Sequence, residues 1–291
     1  MNAASAPKKF FYAQPAGRLD NSSMAVHWEH AIPCFRNAPH VWNVGGQDNV
    51  AVFLLDTGDG CILFDTGLNP ETFYLTLDRI WQSGHDPRDI RKIFLTHWHW
   101  DHTANARVLH ELSGCEIWLS REDEIEHQKH AGDTSPFRVT PYAVTDFYDD
   151  DRPVRMGRFT IRTHLCPGHT PGVTSFFFDD TDDATGQTYH VALHGGLGVD
   201  PMMRSETLRR YGYPEEMAHR FIRDCYELAE LPVDIALASH YNQANIVPNI
   251  PADTNDYSVF VADYAWGDVL RNRAGAVKLF YPETYPEAGK E

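Results

Sequence analysis

Apolar and polar positions along this chain fall into short runs separated by turn residues. Residues 41–44 and 50–55 have the apolar, β-branched character of strands, divided by Gly45-Gly46. Thr57-Gly58-Asp59-Gly60 is turn chemistry that folds the second run back as a hairpin into Cys61-Ile62-Leu63-Phe64. Asn69-Pro70-Glu71 places a cap residue before a proline, which predicts a helix running to Gln82-Ser83 and stopping at Gly84. Residues 89–96 then lead into a strand end. A helix is predicted from Thr103 to Leu112, closed by Ser113-Gly114, followed by a strand over 116–119 and an acidic helix opened by Ser120-Arg121-Glu122-Asp123, which has the form of a capping box. Residues 131–153 carry Pro, Gly, Asp and Thr with little periodicity and predict a long loop, whose Phe137, Tyr142, Phe147 and Tyr148 either line a pocket or pin the loop down. Beyond about residue 155 the same alternation returns. Strands are predicted over 159–165, 174–178, 189–193 and 234–239, with a helix from Tyr213-Pro214-Glu215 to before Pro232 and another, capped by Thr254 or Asn255, through about residue 272. His164 reads as an ordinary strand histidine.

Coordinating chemistry is concentrated in Thr96-His97-Trp98-His99-Trp100-Asp101-His102, directly after the apolar run Ile93-Phe94-Leu95. Imidazole and carboxylate suit divalent transition metals, zinc above all. On a strand end, His97, His99 and Asp101 project to one side while His102 begins to swing away. A helix would not bring residues two apart together. The chain holds 16 histidines, so a histidine-rich surface loop is the plainer alternative, but such a loop has no reason to follow a buried strand or to include an acid at a ligand position.

His-x-His-x-Asp-His after a strand resembles the signature of the metallo-β-lactamase superfamily, and other landmarks follow in the family's order. Asp65-Thr66-Gly67 follows the strand at 61–64, Pro167-Gly168-His169-Thr170-Pro171-Gly172 resembles the segment of the third histidine, and Ser239-His240 resembles that of the last. The resemblance implies an α/β fold, a four-layered αββα sandwich of two mixed sheets flanked by helices. It implies one metal held by His97, His99 and His169 and a second by Asp101, His102 and His240, with Asp65 behind them orienting the ligands. It implies zinc, one ion or two, with iron and manganese as alternatives. Most of the superfamily has a bridging Asp where this chain reads His194-Gly195-Gly196-Leu197-Gly198, and Gly196 takes its place. That departure resembles the β-lactamase subclass with three histidines in one site and Asp-His-His in the other. His194 is a candidate substitute ligand, though a supporting or simply buried residue is the favoured reading, and Asp200 stands too late to substitute. Tyr241, beside His240, and Tyr211 or Tyr213 are expected to touch substrate.

Composition sharpens this. A chain of 291 residues, 42% of them hydrophobic, can bury a large core in one domain, with an irregular arm over about 1–35 and a terminal helix and tail over about 254–291. No run reaches the ~18 apolar residues of a membrane span. The start of the chain has no apolar stretch behind Lys8-Lys9, and five dispersed cysteines fit a reducing compartment, so a cytoplasmic location is expected. A formal charge of −16 argues against nucleic acid and anionic membrane as partners and leaves a small-molecule substrate. The aromatic arms Phe10-Phe11-Tyr12 and Phe280-Tyr281 could pack on a second copy in a homo-oligomer. The expected activity is hydrolysis of an ester, lactone, amide or thioester, with Asp101 orienting the water. The alternatives are a mononuclear-iron oxidoreductase on the same scaffold, or a β-lactamase or acyl-homoserine lactonase proper. His27-Trp28-Glu29-His30 reads as part of a packed N-terminal arm.

Overall fold

The computed structural model describes residues 27–68, 72–134, 138–244 and 246–290. The expected helix start at 69–71, Phe137 and Phe10-Phe11-Tyr12 lie outside the described residues.

Two sheets form the centre of the molecule. The first has seven strands in chain order: β1 (Phe35–Ala38), β2 (Val41–Asn43), β3 (Phe53–Asp56), β4 (Cys61–Phe64), β5 (Ile90–Phe94), β6 (Glu116–Leu119) and β7 (Asp146–Phe147). Its first four strands run antiparallel, and β4 to β7 run parallel. The second sheet has five strands, ordered β12 (Ile235–Ala238), β11 (Thr188–His194), β10 (Thr174–Thr181), β9 (Phe159–Leu165) and β8 (Val154–Met156), with only β11 and β12 parallel. The fold is the expected αββα sandwich.

Alternation along the strands builds the layers. Phe53, Leu55, Ile62, Phe64 and Phe94 face the second sheet, while Leu54, Leu63, Ile93 and Leu95 face outward onto α1 (Phe73–Gln82) and α3 (Ala106–Ser113) through Ile80, Ala106 and Leu109. Between the sheets, Phe64 meets Phe176 at 5.2 Å and Phe178 at 6.0 Å, and Phe94 stacks on Phe176 at 5.7 Å. The far face of the second sheet is covered by α6 (Glu216–Leu228) and α7 (Ala265–Lys278), through Phe221 and Trp266.

Several elements differ from the sequence reading. The helix expected at 103–112 is two pieces, the single turn α2 (Trp100–Thr103) and α3, because buried Asn105 leaves the helical path to donate to the Thr66 carbonyl at 2.8 Å. The long loop contains β7, and its aromatics anchor it: the Tyr148 hydroxyl reaches the Leu95 and Trp118 carbonyls at 3.1 and 3.0 Å, and Tyr142 stacks on His127 at 3.9 Å. The helix α5 (Ser205–Tyr211) is additional. The C-terminal helix starts later, at Ala265, and a turn of 3-10 helix over Tyr257–Phe260, capped by Asp256, fills the expected first part. Phe280 and Tyr281 pack on their own chain, against Arg204 and the Met203 carbonyl, so this tail is not a free arm for a second copy. No described helix is long and apolar enough to cross a membrane.

Candidate metal centre

Chain direction puts the chemistry at one edge. The parallel strands β4 and β5 end there, and so do β9, β11 and β12, since β9 and β11 both run antiparallel to β10 between them. Loops at the carboxyl ends of strands are where α/β folds build sites. The two halves are joined at this edge by backbone hydrogen bonds, Thr174 N–H to the Thr96 carbonyl at 3.0 Å and Ala51 N–H to the Ser239 carbonyl at 2.9 Å.

Two groups of side chains converge here. His97, His99 and His169 form one, and Asp101, His102 and His240 the other; in each, the potential ligand atoms lie within 4.8 Å of one another. The hydrogen bonds around them fix the tautomers. Asp65 accepts from the Thr96 hydroxyl at 2.8 Å, so that hydroxyl accepts from His97 Nδ1 at 2.9 Å, and His97 Nε2 is left buried with no partner. His102 donates its Nδ1 proton to Asp65 at 2.7 Å, His169 donates to the Gly198 carbonyl at 2.6 Å, and His240 donates to Asn49 Oδ1 at 3.1 Å. In the neutral rings that ligation needs, each Nε2 then carries only a lone pair. Yet His102 Nε2 faces His240 Nε2 at 3.1 Å, and His169 Nε2 faces His99 Nδ1 at 2.9 Å. Asp101 Oδ2 lies 3.6 Å from Nε2 of both His102 and His240. Ring nitrogens and a carboxylate oxygen gathered this closely, with His97 Nε2 buried and unpartnered, are the donor set of divalent cations, and the residues fit two of them.

Burial holds His97, His99 and His240 well below the ordinary imidazole value, and brings His169 down to about 4, so these rings are neutral as ligation requires. At His102 burial acts the same way, but the Asp101 and Asp65 carboxylates outweigh it and raise the value. Asp65 takes φ +59, a left-handed backbone that an L residue adopts at a cost, and that conformation lets one carboxylate serve both Thr96 and His102.

Of the remaining candidates, Tyr241 does not stand where the sequence pointed. Tyr241 is fully buried, its hydroxyl bonded to Asn43 and its ring edge-on to Phe53, so it cannot touch substrate. His194 is no part of either group: its ring lies against Phe221 and Trp266 of the covering helices, and its Nδ1 accepts from Gly196 N–H at 3.2 Å. Asp200 is paired with Arg204 at 2.5 Å. At Gly196 a Cβ would lie 2.9 Å from Val173 and 3.0 Å from the His169 Cβ, so a carboxylate has no room there, and the segment instead offers the Gly198 carbonyl that orients His169. Tyr211 and Tyr213, stacked at 5.8 Å, line a cavity of about 410 Å³ with Pro167 and Pro171, which flank His169.

The sequence marks Asp123 only as part of a helix cap. Ser120 does cap the helix α4 (Arg121–His130), but the Asp123 carboxylate turns inward, accepting from Trp98 N–H at 2.9 Å, the Thr170 hydroxyl at 2.8 Å and Gly172 N–H at 2.6 Å. It ties the loop of His97 and His99 to the loop of His169.

The model of the metallo-beta-lactamase superfamily matches residues 45–184. Over that stretch, a little under half of its length, the chain is similar to the superfamily. Similar proteins include the mitochondrial persulfide dioxygenase ETHE1 of Mus musculus, 31% identical over 86 residues, 29% of this chain and 27% of that protein, so the match spans little more than a quarter of the dioxygenase. The Probable metallo-hydrolase YqgX of Bacillus subtilis is 25% identical over 53% of this chain and 71% of its own length. Among solved structures, the class B3 di-zinc metallo-beta-lactamase LRA-12 from an Alaskan soil metagenome superposes with a TM-score of 0.78 at 18% identity, covering 91% of this chain and 98% of the other.

Proposed function

We propose that this chain is a zinc-dependent hydrolase of acyl substrates, in which His97, His99 and His169 hold one ion and Asp101, His102 and His240 a second. The observation that carries this is the convergence of six donor side chains into two buried groups, with His97 Nε2 left without a partner. Bound there, zinc would supply Lewis acidity and bring the pKa of a water from about 16 to roughly 7. The chain's own residues do the rest. Asp101, at the open side of its group, accepts a hydrogen bond from the attacking water and sets its direction. Asp65, Asn49 and the Gly198 carbonyl hold the rings in one tautomer each. The cavity walled by Tyr211, Tyr213, Pro167, Pro171 and Met217 receives the apolar part of an ester, lactone, amide or thioester.

The match to YqgX, a metallo-hydrolase by name, supports this reading, and the match to a persulfide dioxygenase supports a second one, oxidation at a single iron. Metal analysis of protein purified without added metal, with turnover of chromogenic esters, lactones and cephalosporins measured with and without chelator, tests both. Zinc and chelator-sensitive hydrolysis are expected, abolished in Asp101→Ala and His169→Ala variants that remain folded. Unchanged hydrolysis in either variant refutes the assignment, and iron with oxygen consumption on a persulfide favours the second reading.

A further inference from the structure

We propose that Asp56, Cys61 and His85, at the opposite end of the first sheet, form a separate sulfur-containing site for a thiophilic divalent cation such as Zn²⁺. Their potential ligand atoms lie within 4.8 Å of one another. Carboxylate, thiolate and imidazole together are a zinc-type donor set, and no residue is shared with the centre at the other edge.

The hydrogen bonds again show which atoms are turned inward. The Ser83 hydroxyl gives its one proton to the Ile80 carbonyl at 2.6 Å, so toward His85 Nδ1, at 2.9 Å, it can only accept. In the neutral ring the proton is therefore on Nδ1, leaving Nε2, which faces Asp56 Oδ2 at 3.4 Å, free to coordinate. A histidine whose outer nitrogen is held by a neighbour while the inner one faces other donors is the arrangement of metal sites. Cys61 is 1% exposed and its thiol has no hydrogen-bond partner among the described residues, unlike that of Cys166, which meets Ser175 at 3.0 Å. Burial pushes the Cys61 thiol up to about 12, so it is protonated until a dication arrives; coordination then forms the metal–sulfur bond and releases the thiol proton to solvent. The Asp56 and His85 side chains are 38% and 19% exposed, which leaves an entry path.

The position has a consequence for the fold. Asp56 ends β3 and Cys61 begins β4, whose far end carries Asp65. The chain then passes through α1 and returns with His85. A cation here clips together both ends of the β4–α1 unit.

Cobalt titration of the full chain, stripped of metal beforehand, tests this. Cobalt bound at the site gives a near-ultraviolet thiolate-to-cobalt charge-transfer band, which zinc displaces. A centre of histidine and aspartate has no sulfur and cannot produce this band, so the result is independent of the proposed catalytic reading. Cys61→Ser is expected to abolish the band. His85→Gln, which keeps the thiol, loses it at concentrations that saturate the wild type, and Ser83→Ala weakens cobalt binding by roughly 10–100-fold. Absence of the band in the wild type, its survival in Cys61→Ser, or undiminished affinity in His85→Gln would each overturn the proposal. The two side chains at positions 83 and 85 lie outside the sheet, so their variants give an answer even if Cys61→Ser does not fold.

Discussion

Asp123 shows how one side chain can govern a site without entering it. Its carboxylate accepts three hydrogen bonds from two loops, each beside a histidine of the first group. Asp123→Asn, which cannot accept at all three, is expected to weaken metal binding about 10–100-fold, as read by metal titration. Burial raises its pKa to about 7, above the ordinary carboxylate value. The proton is thus bound more tightly in the folded state, so this stabilisation is complete below about pH 4 and is lost as pH rises through 7. Urea midpoints measured across that window should fall more with rising pH in the wild type than in Asp123→Asn; parallel curves would sink the idea. Gly196→Asp, the substitution that would supply the superfamily's bridging acid, should cost about 1–3 kcal/mol in urea unfolding and bring no gain in metal affinity, because the Cβ meets Val173 and His169. Legibility at this scale followed locality. The cluster at 97–102 stands out because its members are neighbours in sequence. Tyr241 is misplaced because adjacency to a site says nothing of direction: it turns to Asn43, whereas His194 is buried under the covering helices, as one of its two favoured readings had it. Asp123 carried only the signal of a cap, and nothing in its own segment marks the loops it reaches.

Among the elements, the strands were read most nearly, because alternation and turn residues are local. The prediction over 159–165 coincides with β9, and the stop at Gly84 stands where α1 ends, with φ +88. Elements whose limits depend on tertiary contacts were not readable. The split of α2 from α3 is one, since the Thr66 loop captures Asn105. Asn105→Ala should leave a buried carbonyl unpaired, costing about 1–3 kcal/mol by chemical denaturation, and should loosen the loop that carries Asp65. A variant as stable as the wild type would mean that the break arises from the chain itself. The late start of α7 is another case: Asp256 caps a 3-10 turn first, and the α-helix begins only where Ala265 and Trp266 reach the core.

For the molecule as a whole, the proposed ions couple stability to metal. An ion that binds only the folded chain, present at a thousand times its Kd, adds about 4 kcal/mol. Chelator should therefore lower the melting temperature, and His240→Ala should shrink that difference; a chelator-insensitive melting curve would contradict the linkage. The overall architecture was legible because the order of motifs is specific, whereas the fit of one sheet on the other rests on packing such as Phe64 against Phe176, which pairs residues far apart in the chain. That fit bears on how the protein matures. Each group draws two donors from the first sheet's half and one from the second's: His97 and His99 with His169, Asp101 and His102 with His240. A nascent chain whose halves have not yet docked can offer an ion only a pair of donors, so secure capture of zinc would mark the completion of folding and act as a checkpoint on assembly.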